Sequence, residues 1–486
     1  MKKVLLPLFL LSLLLTTAVA FAGAGGDMAI VDVYVRQADG GSELVSSGRV
    51  TDTQVLVPAF IFPSHLAPGQ SSFDQETGRL LLSVRKPAWQ METESLDKRL
   101  RQGVTLNFPA VLQEKEYFVN IKNLEKILGL RMRYDQYAGR LYLERDAAFS
   151  DRRLNTVRPA WRPQGKLNLV WDYIPGFSPD LSQQETIRGL DVISPTWFSI
   201  APDGRLLINN ADWKYVQDAH AKGYKVWPLF KNGDFDPDLT RKFLASETLQ
   251  ELVIGQMLVY TALYDLDGIN IDFENVYEAD RDRLTAFVKR VADALRQQNL
   301  VSSVDVTVPG PSPNWSKCYD RRGLSQAVDY VMVMTYDEHW GASPVAGPVA
   351  SLNWVDENLA LLADNHIPRE KLVMGIPFYA REWRETTEPA GGVRVSSRAY
   401  GMEAIAAKVA ERQLTPVWLE EQGLFYTEYR QAGSLYRIWL EEETSIARKA
   451  ALVNKYNLAG AASWRKNFAA PHIWQVLETE LKAPLQ

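Results

Sequence analysis

From Lys166 onward, short apolar runs alternate with stretches of helical period. The runs cover residues 167–173, 189–198, 224–230, 266–274, 302–310, 328–337, 371–380 and 458–465. Strand-length apolar runs separated by helices predict parallel pairing, and eight such units predict a closed (β/α)8 TIM barrel within the α/β class. The competing architecture is an open doubly wound sheet. That fold carries a glycine-rich phosphate loop after its first strand, and "WDYIPGFSPD" holds none. Residues 381–456 are too long for a loop. One helical stretch and two alternating stretches there predict a small α+β insertion between strands seven and eight.

The segment 27–148 follows a different pattern. "SFDQETGRLLLSV" from Ser72 and "RYDQYAGRLYLER" from Arg133 share aromatic-Asp-Gln-x-x-Gly-Arg-Leu-x-Leu, 61 residues apart. Each copy reads as a strand, a helical piece and a hairpin turning at Gly78 or Gly139, a small α+β repeat domain for binding or spacing. Polar residues broken by Pro159 and Pro163 predict a linker at 149–165, which leaves 166–486 for the barrel.

Composition adds a compartment. The 486 residues are 46 % hydrophobic and 23 % charged, ordinary for a globular chain. Lys2 and Lys3, an apolar run from Val4 to Ala20 and Ala20-Phe21-Ala22 predict a signal peptide over residues 1–22. The competing reading is an uncleaved membrane anchor. Cleavage predicts a secreted or cell-wall-associated protein with no remaining membrane span, and moves the net charge from −5 to −7. No basic run points to nucleic acid. Cys318, the single cysteine, excludes an internal disulfide, and the five histidines have no metal spacing, so neither a metal nor a cofactor is expected.

The chemistry concentrates in "LDGINIDFENV", residues 266–276. Alternation along a strand puts Ile269, Ile271 and Phe273 on one face and Asn270, Asp272 and Glu274 on the other. Two carboxyls two residues apart raise one another's pKa, and a Glu held protonated near neutrality can act as a general acid. The alternative is a solvated acidic edge strand, against which the flanking helical patterns argue. Glu274, Asp337 and Trp464 all fall at the C-terminal ends of predicted strands, the catalytic face of a barrel.

These features together resemble glycoside hydrolase family 18, the family of chitinases and N-acetylglucosaminidases. The fourth-strand motif Asp-x-x-Asp-x-Asp-x-Glu is matched by Asp267, Asn270, Asp272 and Glu274, the sixth-strand Met-x-Tyr-Asp by Met334, Tyr336 and Asp337, and the closing tryptophan by Trp464. Asn270 stands where many members have aspartate, which puts a third carboxylate below Asp272 in doubt. "DGINIDFEN" is similar to the branch of spore-cortex and cell-wall N-acetylglucosaminidases. The repeat domain resembles the copper amine oxidase N-terminal-like domains of exported bacterial proteins, without metal ligands.

The resemblance implies a retaining hydrolase of β-1,4 bonds next to N-acetylglucosamine, in which the sugar's own 2-acetamido oxygen attacks. Glu274 would protonate the glycosidic oxygen and Asp272 would orient the acetamido group. Tyr336 would bond to its oxygen, Asp337 and Asn270 would serve binding, Met334 would line the pocket, and Trp464 would stack under the ring. Asp267 would be supporting. Plainer roles compete: barrel core for Met334 and Trp464, a structural phenol for Tyr336, a helix cap for Asp337. His339 and Trp340 fall on a loop at the same face. The expected partner is a polysaccharide containing N-acetylglucosamine, peptidoglycan before chitin, with cell-wall contact through the repeat domain. The alternative of another class is a lectin-like wall protein without catalysis.

Overall fold

The computed structural model describes residues 28–36, 40–51, 54–84, 103–145, 159–389 and 391–482. The predicted leader and most of the predicted linker lie outside these residues. Among them, no helix is long and apolar enough to cross a membrane.

One sheet of eleven strands organises the larger part of the chain. Its parallel ladder passes from Leu229–Lys231 through Gly268–Asp272, Val301–Thr307, Tyr330–Met334, Leu372–Pro377 and Gly460–Trp464 to Leu167–Asp172. It continues to Val192–Pro195 and ends on Lys225–Val226. That last strand runs straight on into Leu229–Lys231, where the ladder began, so the sheet curls back on itself into a barrel-like form. The run 224–230 is split because Pro228 has no N–H to give the ladder. The interior is filled by large side chains, including Leu169, Trp171, Trp227, Leu229 and Met332. Because the strands are parallel, Asp172, Lys231, Asp272, Met334 and Trp464 share one rim.

The segment after Leu372–Pro377 forms a five-stranded antiparallel sheet. It comprises Tyr379–Thr387, Val393–Gly401, Val417–Leu419, Leu424–Gln431 and Ser434–Leu440, backed by the helix Met402–Glu411. It closes at Leu440, earlier than the residue 456 expected from sequence. Ile446, Ala450 and Val453 turn the helix Glu443–Lys455 into the main core instead.

In the N-terminal part, the two repeat copies have the same local build. Val55–Pro58, the helical turn Phe62–Leu66 and the hairpin Ser71–Asp74/Arg79–Val84 correspond to Glu116–Asn120, Glu125–Leu128 and Leu130–Asp135/Arg140–Arg145. The shared residues have a physical basis. Asp74 accepts from the Glu76 N–H (3.0 Å) and Asp135 from the Tyr137 N–H (3.1 Å), so each opens a turn. Gly78 and Gly139 then adopt φ of +62° and +63°, where a side chain would be strained. The two hairpins join different sheets.

This part packs against the barrel-like part through strand Val104–Pro109. Asn107 Nδ2 donates to the Leu207 carbonyl (2.8 Å), its N–H donates to the Tyr260 hydroxyl (2.8 Å), and Phe108 meets the Tyr260 ring edge-on. Tyr260 lies in the helix Glu247–Tyr264, which is buried on nearly every side because it is covered from both directions. Tyr260→Phe leaves a buried Asn107 N–H without its acceptor. The expected loss is about 1–3 kcal/mol in denaturant unfolding, and unchanged stability would refute this packing.

Candidate active site

Strand Gly268–Asp272 carries its two faces as alternation requires. Phe273, just beyond it, joins an outer cluster with Phe230 (5.1 Å between centroids) and Phe287 (5.5 Å). Asn270 points inward: its Nδ2 donates to Asp305 Oδ1 (2.7 Å) and Ser303 Oγ (3.0 Å), and its Oδ1 accepts from Trp171 Nε1 (2.7 Å). The amide therefore bridges to a carboxylate on the next strand. Asp305 supplies the third acid that the sequence motif lacks.

Asp272 ends the strand, buried, with Oδ1 lacking any hydrogen-bond partner among the described residues. Burial pushes its pKa up to about 7, against the pull of Lys231. Burial and the charges of Asp272 and Asp337 hold Glu274 well above the ordinary carboxylate range. Asp305 is likewise raised, by burial first and then by Asp272. These carboxyls cannot all ionise together.

The backbone that presents Glu274 is clamped. Asn232 Oδ1 accepts from the Glu274 N–H (3.0 Å), and Asn232 Nδ2 donates to the Glu274 carbonyl (2.8 Å). The Tyr319 hydroxyl donates to the Phe273 carbonyl (2.9 Å), and Asn275 takes φ +50° with its Nδ2 on the Phe235 carbonyl (3.0 Å).

Tyr336 lies two residues past strand Tyr330–Met334 and is half-buried. Burial, then Tyr379 and the Asp305, Asp272 and Glu274 charges, raise its pKa, which places it beside the acids. Asp337 (φ +57°) accepts from the Tyr379 hydroxyl (2.7 Å) and Arg381 Nη2 (2.9 Å). It caps no helix; Ser351 stands at the start of Leu352–Leu362. Met334 and Trp464 are half-buried at the rim, and Trp464 faces Trp171 at 6.0 Å.

Asp267 lies elsewhere. It precedes the strand, at the opposite end of the sheet, where it binds His220 Nε2 (2.7 Å), Lys225 Nζ (2.9 Å) and the Val226 N–H (2.9 Å). Burial raises its pKa, but His220 and Lys225 outweigh this and lower it. His339 is occupied by the Pro348 carbonyl (3.0 Å), whereas Trp340 is 56 % exposed. Asn232, Asp305, Tyr379 and Arg381 escaped the sequence reading. Among the described residues, no group of three His, Cys, Asp or Glu is set to hold a metal.

The model of glycosyl hydrolases family 18 matches residues 213–468, more than half of the chain. The chain belongs to this family. It is 26 % identical over 304 residues to the uncharacterized glycosylase YvbX of Bacillus subtilis (strain 168), across 60 % of this chain and 85 % of that one. The cortical fragment-lytic enzyme of Bacillus anthracis is 28 % identical, across 51 % of this chain and 57 % of its own. Di-N-acetylchitobiase of Mus musculus is 28 % identical, across 51 % and 72 %. Some of these relatives thus extend well beyond the shared region. The fold is shared with the Bacillus megaterium QM B1551 spore cortex-lytic enzyme SleL (TM-score 0.58, 20 % identity, 67 % of this chain and 76 % of that one). It is also shared with a chitinase from Chromobacterium violaceum ATCC 12472 (0.58, 22 %, 66 % and 100 %). The protein is therefore a family 18 glycosyl hydrolase, related to spore cortex-lytic enzymes and chitobiase.

The raised acids have a consequence for stability. Between the ordinary carboxylate range and about pH 7, the folded protein keeps a proton on Asp272 that the unfolded chain releases. Stability therefore falls as pH rises through that window. Asp272→Asn removes this loss. It should exceed wild type in unfolding free energy at pH 8 by on the order of 1 kcal/mol or more, with the gap shrinking toward pH 4. Parallel pH profiles for the two proteins would contradict this.

Proposed function

We propose that this chain is an exported retaining glycosidase that cleaves β-1,4 bonds next to N-acetylglucosamine with help from the substrate's acetamido group. The observation that carries the reading is the group of Asp305, Asp272 and half-buried Glu274, in which burial and mutual charge push every carboxyl toward its protonated form. The family's (β/α)8 barrel, with its insertion after the seventh strand, is the frame we infer for it.

Glu274, protonated and clamped by Asn232, gives its proton to the glycosidic oxygen as the bond breaks. A two-carboxylate mechanism needs a nucleophile on the other side of the sugar. Asp272 shares the Glu274 face, and Asp337 is engaged by Tyr379 and Arg381. The 2-acetamido oxygen of the bound sugar therefore attacks the anomeric carbon and forms an oxazolinium ion. Asp272 accepts from the acetamido N–H and, as it ionises, balances the developing positive charge. Asp305, tied to Asn270, takes up or returns the proton that Asp272 exchanges. Tyr336, whose hydroxyl has no bond to any described residue, donates to the acetamido oxygen. Asp337 binds sugar hydroxyls, Trp464 stacks beneath the ring, and Met334 lines the floor. Water then opens the oxazolinium ion, with the Glu274 carboxylate as base.

Peptidoglycan, of cell wall or spore cortex, is the preferred polymer. Similarity to the cortical fragment-lytic enzyme and the "DGINIDFEN" form of the motif support it. Similarity to di-N-acetylchitobiase favours chitin-type oligosaccharides as the second reading.

Glu274→Gln should lower turnover of N-acetylglucosamine polymers about 10²–10⁴-fold while leaving sugar binding in place, read by product release and calorimetry. Turnover that survives this change would dismiss Glu274 as the acid. A thiazoline analogue of the oxazoline should inhibit competitively; indifference to it would rule against acetamido attack.

A further inference from the structure

Arg79 and Arg140 hold the same place in the two repeat hairpins, one residue after the turn glycine. Their surroundings differ. Arg140 is exposed and lies over the Tyr34 ring. Arg79 is drawn into the junction with the barrel-like part. There its Nη1 donates to Asn107 Oδ1 (2.8 Å) and the Asn209 carbonyl (2.9 Å), and its Nη2 donates to Asn210 Oδ1 (2.5 Å). All three acceptors are neutral. Among the described residues, no carboxylate lies within ion-pair distance of it. A guanidinium has five N–H donors and keeps its charge when buried. Arg79 thus retains two donors and an uncompensated positive charge.

Arg79 borders a cavity of about 290 Å³ between the two parts of the chain. The repeat part contributes Thr77 and Ala110, and the barrel-like part contributes Phe177, Asn210 and Asp212. Asp212, which also lines the cavity, is engaged at the start of helix Trp213–Ala221, where its Oδ1 accepts the Tyr215 N–H (2.9 Å). Phe177, 65 % exposed, sits in the loop that leaves strand Leu167–Asp172 at the rim of the acid site. That loop opens with Tyr173, whose ring lies under Arg465 at 4.3 Å, next in the chain to Trp464. One short loop therefore links the cavity to the rim where the acids stand. The space is at the small end for ligand sites, and suits an acidic substituent rather than a whole oligosaccharide.

We propose that this cavity is an accessory subsite for a carboxylate borne by the glycan, with Arg79 as its cation, so that the repeat part selects acidic over neutral N-acetylglucosamine polymers. This rests on the glycosidase reading and adds the substrate class to it.

The test uses soluble peptidoglycan strands, native or with their carboxyls converted to amides, and neutral chito-oligosaccharides. In the Glu274→Gln background, calorimetry should give about tenfold or greater weakening on amidation. Adding Arg79→Gln should make native and amidated strands bind alike, leaving chito-oligosaccharide affinity unchanged. Arg79→Lys should keep part of the discrimination. Ala110→Trp, which fills the cavity while keeping the Arg79 side chain, should abolish discrimination even if Arg79→Gln fails to fold. Equal affinity of the Glu274→Gln protein for native and amidated strands, or discrimination that survives Ala110→Trp, overturns the subsite. The glycosidase reading is judged separately, by wild-type turnover of either polymer.

Discussion

The site is governed by a restriction on charge. Asp305 and Asp272 are buried at the mouth of the sheet and Glu274 is half-buried there, where water solvates three negative charges poorly. At least one proton must stay, and the geometry decides where. Asn270 bonds Asp305 from below, Lys231 favours ionised Asp272, and Glu274 lies between the charges of Asp272 and Asp337. All three are pushed toward the neutral form, and at Glu274 the charges of Asp272 and Asp337 add to the effect of burial, toward the state a general acid needs. The surrounding structure serves this restriction: the interior packing excludes water, and Asn232 and Tyr319 fix the backbone that carries the acid.

Much of this was legible in the sequence because strand alternation is a local rule. Ile269, Ile271 and Phe273 against Asn270, Asp272 and Glu274 could be sorted by parity alone. Glu274, Asp337 and Trp464 could be placed at strand ends because each falls at the C-terminal end of an apolar run. What escaped was contributed by neighbours in space. Asp305 sits in "SSVDVTVPG", where a single acid among small residues looks unremarkable until the Asn270 amide reaches it. Tyr379 and Arg381 belong to a strand whose alternation reports only that it is a strand. Asp267 was grouped with the acids by proximity in sequence, yet the length of the strand carries it to the far end of the sheet.

Boundaries failed where one residue overrules a pattern. Pro228 interrupts an apolar run that reads as a single strand. The helix Glu443–Lys455 looks continuous with the insertion, but its apolar stripe answers to the main core. The repeat, by contrast, was visible because its turns require particular residues: an Asp to accept two N–H groups and a Gly for positive φ.

From Val253 to Tyr264, the helix Glu247–Tyr264 has no face left for solvent. A helix of that kind ties two neighbours into one cooperative unit, since neither can depart without wetting a broad oily surface. Trimming the chain back to its hydrolase region would therefore not yield a freestanding cassette but a sticky fragment prone to self-association.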